Sequence, residues 1–214
     1  MSPVSKWYEL PEDSEDEYDD DEATLEVPIF LRTVYRDYQE KLPPMAKRKF
    51  ERSMRGKDYS YESAFAGSAL ELVDFSSAKL YGAEFTRARL AGTKFSGALL
   101  AYSEFTLVHA PKANFEQSIA PGIDFNGAML AGANFRGASL VGASFVAANL
   151  QGADFTGAIL VHAKFISANL TGAILDGVSL HGCDLRGATM PDGQVMTDPD
   201  DTDKGHQAAM HSVR

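Results

Sequence analysis

Cysteine is almost absent, with Cys183 alone among 214 residues. One thiol cannot build an internal disulfide framework, and it supplies too few ligands for a cysteine-based zinc site. A reducing, cytoplasmic setting is the expectation. No run of about eighteen apolar residues offers a spanning helix, and Met1 to Leu10 lack the apolar stretch of a secretory signal. Neither export nor a membrane partner is expected. Also missing are a phosphate-binding glycine loop, a dinucleotide fingerprint and a recognisable pairing of nucleophile and base. His162 and His181 fall one twenty-residue interval apart, nearly in register, yet two histidines lack the third and fourth ligands of a metal site. The sequence therefore predicts no catalytic residue, no cofactor and no metal.

Charge is short in most of the chain and crowded at one end. The formal net charge is -10, and residues 1–26 carry eleven acids against Lys6. That segment is too charged and too poor in apolar residues to fold alone, and it reads as a disordered acidic tail. Residues 27–62 hold nine bases and five acids, whereas 63–192 hold eight bases and ten acids. A basic cluster at 47–57 suits a cover for the neighbouring segment better than a nucleic-acid site, because it is short and follows an acidic tail. The tail is a candidate intramolecular shield for that cluster.

What the chain has in abundance is a period. From Phe65 a large apolar residue recurs every fifth position: Phe at 65, 75, 85 and onward to 165, with Leu70, Leu80, Leu90, Leu100 and their successors between and after them, ending at Met190. Only Ala110 and Ala120 break the series. The residue two before each centre is small, mostly Ala, and the residue two after it is Gly in 15 of 26 units. Neither a helical period of 3.6 nor a strand period of 2 keeps a five-residue repeat facing inward for so long, so the chain must turn within each unit.

Units such as Ala-Asn-Phe-Arg-Gly (133 to 137), Ala-Asn-Leu-Gln-Gly (148 to 152) and Ala-Asp-Phe-Thr-Gly (153 to 157) closely resemble the pentapeptide-repeat family, over residues 63–192. The resemblance implies an all-β solenoid, a right-handed quadrilateral β-helix in which four pentapeptides make one coil, here about 6.5 coils with a short N-terminal helical cap. The expected organisation is a tail (1–26), a cap (27–57), the β-helix (58–192) and a flexible C-terminal tail (193–214). Large and small residues alternate inside, filling the core at roughly 1.5 to 3 kcal/mol per buried Leu or Phe before chain entropy is subtracted. In the cap, Pro28 opens a helix carrying Leu31, Val34, Tyr35, Tyr38 and Leu42, and a second helix is expected over about 45–55 with Gly56 as its stop. Asn114 and Asn134 are expected as vertical neighbours forming an amide ladder. A local bulge is expected at 106–123, around the two alanine centres and Pro111 and Pro121.

Outward positions carry the functional expectations. Tyr81, Leu99, Tyr102, Ile119, Val141, Ile159 and Val161, with Ala101 and Pro121, fall on one face and predict a continuous apolar strip for a partner protein. Glu84, Glu104 and Asp124 fall on successive coils as an acidic column, with Lys164 further along it. Cys183 takes an inward small-residue position and reads as an inert thiol. Asn169-Leu170-Thr171 matches a glycosylation sequon, a coincidence in a protein that is not secreted. The coil with Leu175, Leu180, Leu185 and Met190 is compatible with an end-to-end homodimer. The favoured function is a non-enzymatic scaffold that binds another protein through the apolar face, without direct nucleic-acid binding. The resemblance offers a second: members of the family mimic DNA, bind DNA gyrase and protect it from quinolones or toxins. A net -2 over 63–192 is a weak copy of a duplex carrying a charge every ~1.7 Å.

Overall fold

A computed structural model of the chain describes residues 52–197. The acidic tail, the expected helix from Pro28 and the segment after 197 lie outside the described residues. Pairing along the array is parallel and steps by twenty residues: Lys79 bridges Leu99, Leu99 bridges Ile119, and Glu84, Glu104 and Asp124 follow one another in the same way. Within each step the chain turns every five residues. The N–H of Ala78 bonds the carbonyl of Phe75 at 2.9 Å, and that of Ala83 bonds Leu80 at 3.1 Å. The third residue of each turn has positive φ, as a type II turn requires. Glycine takes that conformation freely, and eleven other residues, Tyr102 (57°) and Leu107 (57°) among them, hold it as well.

The Phe75 unit accounts for all five of its backbone donors. Asp74, Phe75 and Ser77 donate to Arg52, Lys94 and Ser96 on neighbouring coils, and Ala78 closes the turn. The remaining N–H, of Ser76, has no backbone acceptor and bonds Asp74 Oδ1 at 2.8 Å. The same local cap recurs at Asn114, Asp124, Asn134, Asn149 and Asp154. This is the physical reason for Asn or Asp ahead of the centre: its oxygen satisfies the one donor that the ladder leaves over.

Four inward faces result, named here by their first centres as the Phe65, Leu70, Phe75 and Leu80 faces. Every Phe centre is buried. Rings of one face stack at 4.5 to 5.2 Å, and rings of the Phe65 and Phe75 faces meet edge to face at 5.2 to 6.1 Å. Both arrangements are favoured by the ring quadrupole.

Three expectations require correction. No bulge occurs at 106–123: His109 and Ile119 keep their bridges on both sides. Val108 and Ile123 are buried and refill the space at Ala110 and Ala120. The adjustment is made by side chains, since Phe105 and Phe125 lie at 51° where other stacked pairs stay within 4 to 23°. Two turn bonds, Val108 to Phe105 and Ile123 to Ala120, stretch to 3.4 Å.

The second cap helix does not include residues 52–55. Ser53 bridges Asp74 and Met54 is buried in the core, so pairing begins before the five-residue series does. Ser53 and Asp58 pair 21 residues ahead and Ala69 pairs 20 ahead, which places one extra residue between Tyr59 and Phe65. That insertion hides the first units from a strict period.

Asn114 and Asn134 are vertical neighbours, but each amide oxygen is used within its own coil rather than in a ladder. At the other end, Val195 folds back to pair antiparallel with Thr189, and Met196 joins the core. Leu175, Leu180, Leu185 and Met190 are all buried as inward centres of the last coil, beside which Val195 is exposed.

Candidate protein-interaction face

The Leu80 face collects the predicted strip. Leu99, Ile119, Ser139 and Ile159 are joined by successive bridges, starting from Lys79. Pointing out beyond each centre, Tyr81, Ala101, Pro121, Val141 and Val161 form a second column one residue past the core side chains. Ile119 and Ile159 are each 51% exposed and Leu99 40%. Tyr81, Val141 and Val161 are likewise exposed. The seven residues assigned from sequence thus share one face and stand open.

Along the corner of this face runs an aromatic ladder. Tyr61 meets Tyr81 with centroids 5.3 Å apart, and Tyr81 meets Tyr102 at 5.7 Å, both edge to face. Tyr61 is 73% exposed and Tyr102 61%, and both hold positive φ. Desolvation, followed by the neighbouring Tyr61 and Tyr102, raises the Tyr81 hydroxyl above its usual range, so it stays protonated. Bulky side chains at left-handed corners carry a backbone penalty of roughly 1 to 2 kcal/mol each. Tyr61 escaped the sequence reading because it precedes Phe65, where the extra residue shifts the register; counting back from Tyr59 as a centre would have found it.

Glu84, Glu104 and Asp124 stand one above another beside this face, continuing to Ser144, Lys164 and Asp184. Asp124 caps the N–H of Asn126 at 2.7 Å. Among the described residues, no salt bridge engages Glu84 or Glu104, whereas Lys164 acts electrostatically on Asp184, its bridged neighbour on the next coil. At the far end, Asp184 is held below its usual carboxylate value, chiefly by its hydrogen bonds with Arg186 at 2.6 and 2.9 Å.

Between the last two coils the Leu80 face loses its ladder. Ile159 bridges Ser139 but not Ser179, and the N–H groups of Leu160, His162 and Ser179 find no backbone acceptor among the described residues. Cys183 spans the same level, its thiol donating to the Leu160 carbonyl at 3.0 Å. Burial pushes that thiol up to about 11, which keeps it protonated and unreactive. Among the described residues, no group of three or more His, Cys, Asp or Glu is arranged to hold a metal ion. Asn169 of the sequon caps Thr171 within its own turn.

A family model described as pentapeptide repeats matches residues 62–105, 112–146 and 148–187, in eight copies. Comparison with curated proteins finds no match. Among solved structures, a trypsin-treated form of QnrB1, described as a plasmid-mediated fluoroquinolone resistance protein, is 28% identical over 64% of this chain and 72% of its own, with a TM-score of 0.54. HetL, a pentapeptide repeat protein involved in heterocyst differentiation regulation in Nostoc sp. strain PCC 7120, is 25% identical over 76% of this chain and 98% of its own, at 0.30. A pentapeptide repeat protein from the Arabidopsis thaliana thylakoid lumen is 25% identical over 75% and 80%, also at 0.30.

Proposed function

The chain belongs to the pentapeptide-repeat family of right-handed β-helix solenoids, and from that premise we propose that it is a non-enzymatic cytoplasmic scaffold that binds a partner protein through its apolar Leu80 face. The observation that carries this reading is the continuity of Leu99, Ile119 and Ile159 on bridged neighbouring strands, exposed beside Tyr81, Tyr102, Val141 and Val161. A soluble protein rarely leaves so long an apolar patch bare. The same reading takes the array as four-sided coils, about six and a half over 63–192.

The test is capture by the immobilised protein, comparing wild type with Leu99→Lys plus Ile159→Lys. Both side chains point away from the core, so thermal stability should stay within ~1 kcal/mol while a specific partner is lost. Retention of the partner by a folded double variant defeats the proposal.

A second reading is favoured by the likeness to QnrB1 and by the Glu84, Glu104 and Asp124 column: a DNA-mimicking protein that binds gyrase and protects it from quinolones. The array's weak charge argues against it. A gyrase supercoiling assay with and without fluoroquinolone decides. Dose-dependent inhibition or protection at low micromolar protein would put this reading first.

A further inference from the structure

We propose that Asn126-Gly127 is a modification site, at which the asparagine deamidates when the coil carrying Val146 lifts away and is protected while the coils stay paired. It is the one Asn-Gly pair in the chain, and glycine hinders the step least because no side chain stands beside the attacking nitrogen. The Gly127 nitrogen attacks Asn126 Cγ and gives up its proton as ammonia leaves, closing a five-membered succinimide. Water then opens the ring. Cleavage at Cγ yields an aspartate, and cleavage at the main-chain carbonyl yields isoaspartate, whose backbone runs through the side chain.

The next coil holds both reacting groups. The Gly127 N–H donates to the Val146 carbonyl at 2.8 Å, and Asn126 Oδ1 accepts the Val146 N–H at 3.0 Å and the Ser144 hydroxyl at 2.6 Å. Ring closure must swing Asn126 Cγ onto the Gly127 nitrogen, so it cannot proceed with both bonds to Val146 in place.

The asparagine also has a structural task. In the Phe145 unit the residue ahead of the centre is Ser144, whose hydroxyl donates to Asn126, so the left-over N–H of Val146 finds its acceptor on the coil below instead of in its own turn. The two products therefore differ in consequence. An aspartate keeps an oxygen for both donors and adds a charge beside Asp124. Isoaspartate inserts a methylene carbon into the main chain ahead of Gly127, whose bond to Val146 depends on the five-residue register, and so makes the opening permanent.

Peptide mapping of the full chain by mass spectrometry tests this, folded and in urea at the same mildly alkaline pH and temperature. The folded chain should convert at Asn126 ~100-fold or more slowly than the unfolded chain. Ser144→Ala removes one of the two bonds to the amide oxygen and should raise the folded rate ~fivefold while leaving the unfolded rate unchanged. In the wild type, urea below the unfolding transition should raise the conversion rate and the hydrogen-exchange rates of Gly127 and Val146 by the same factor, a comparison that needs no variant. After refolding, the aspartate product should keep the exchange protection of Val146 within ~tenfold of the parent, and the isoaspartate product should lose it. Folded conversion within ~threefold of the unfolded rate, or a folded rate indifferent to urea or to Ser144→Ala, overturns the inference.

Discussion

The ring of Tyr102 lies against Gly122 on the next coil, so close that a β-carbon there would come within 2.7 Å of Tyr102 Cδ1. Gly122 also holds φ at +65°, as Gly142 does at +66°, but Gly142 has nothing within 4 Å. Gly142→Ala should therefore cost only the left-handed penalty, about 1 kcal/mol, and Gly122→Ala about 2 kcal/mol. Combining Gly122→Ala with Tyr102→Ala should bring the glycine's contribution back to about 1 kcal/mol. Denaturant titration of the four variants checks the cycle.

The alanine centre at 110 is matched by Val108 two residues earlier, both fully buried. Ala110→Leu should overpack and cost about 1 to 3 kcal/mol, and Val108→Ala should open a cavity and cost about 1 to 2 kcal/mol. Together they recreate the unit found elsewhere in the array, and the double variant should lie within ~1 kcal/mol of wild type. A double variant as unstable as the sum of its parts would show that the two sites do not share volume.

Acid should loosen the array below about pH 4. Hydrogen bonds from Ser76 hold the Asp74 carboxyl below its ordinary 3.8, and those from Arg186 do the same at Asp184. At Asp154 burial pulls upward and is outweighed by Thr156 and Arg136. With lowered folded values, the unfolded chain binds more protons in this range. The stabilisation is thus complete above pH 3.8 and lost as pH falls through the folded values. Asn114 makes the same cap with an amide, so Asp74→Asn plus Asp184→Asn should keep neutral-pH stability and move the acid transition lower. Circular dichroism between pH 6 and 2 reads the shift.

The lapse in pairing near the last coil should be visible in hydrogen exchange. Leu140, Gly142 and Ile159 donate to neighbouring coils at 2.8, 2.8 and 2.9 Å, whereas the equivalent donors of Leu160, His162 and Ser179 have no such acceptor among the described residues. Their amides should exchange ~100-fold faster or more. Cys183 should nonetheless resist a thiol reagent at pH 8 until the final coil opens, given its burial and its thiol near 11.

The repeating part of this architecture was legible because a single register writes the same interior at every fifth residue, from Phe65 to Met190. Once that register is known, the outward columns follow by arithmetic, and Leu99, Ile119 and Ile159 are found on one face. The readings that failed concern places where local chemistry departs from the period. Met54 and Tyr59 are centres displaced by one residue, and the basic residues around them suggested a helix instead. Ala110 and Ala120 suggested a backbone defect even though Val108 and Ile123 are legible in the sequence as larger inward neighbours, because the pattern does not show that these two side chains restore the volume without any shift of the backbone. The loss of pairing at Leu160 has no counterpart in the local repeat, since Ser179 and Leu180 fit it as well as any other unit.

The twenty-residue step between bridge partners also governs which changes of length this chain tolerates. Removing one pentapeptide would preserve every buried contact type and yet rotate all that follows by a quarter turn, cutting the aromatic and aliphatic strip in two and delivering its halves to adjacent sides. Removing four would shorten the strip and leave it continuous. Growth or loss by whole coils is therefore the route by which such a protein can alter its reach without losing its bearing.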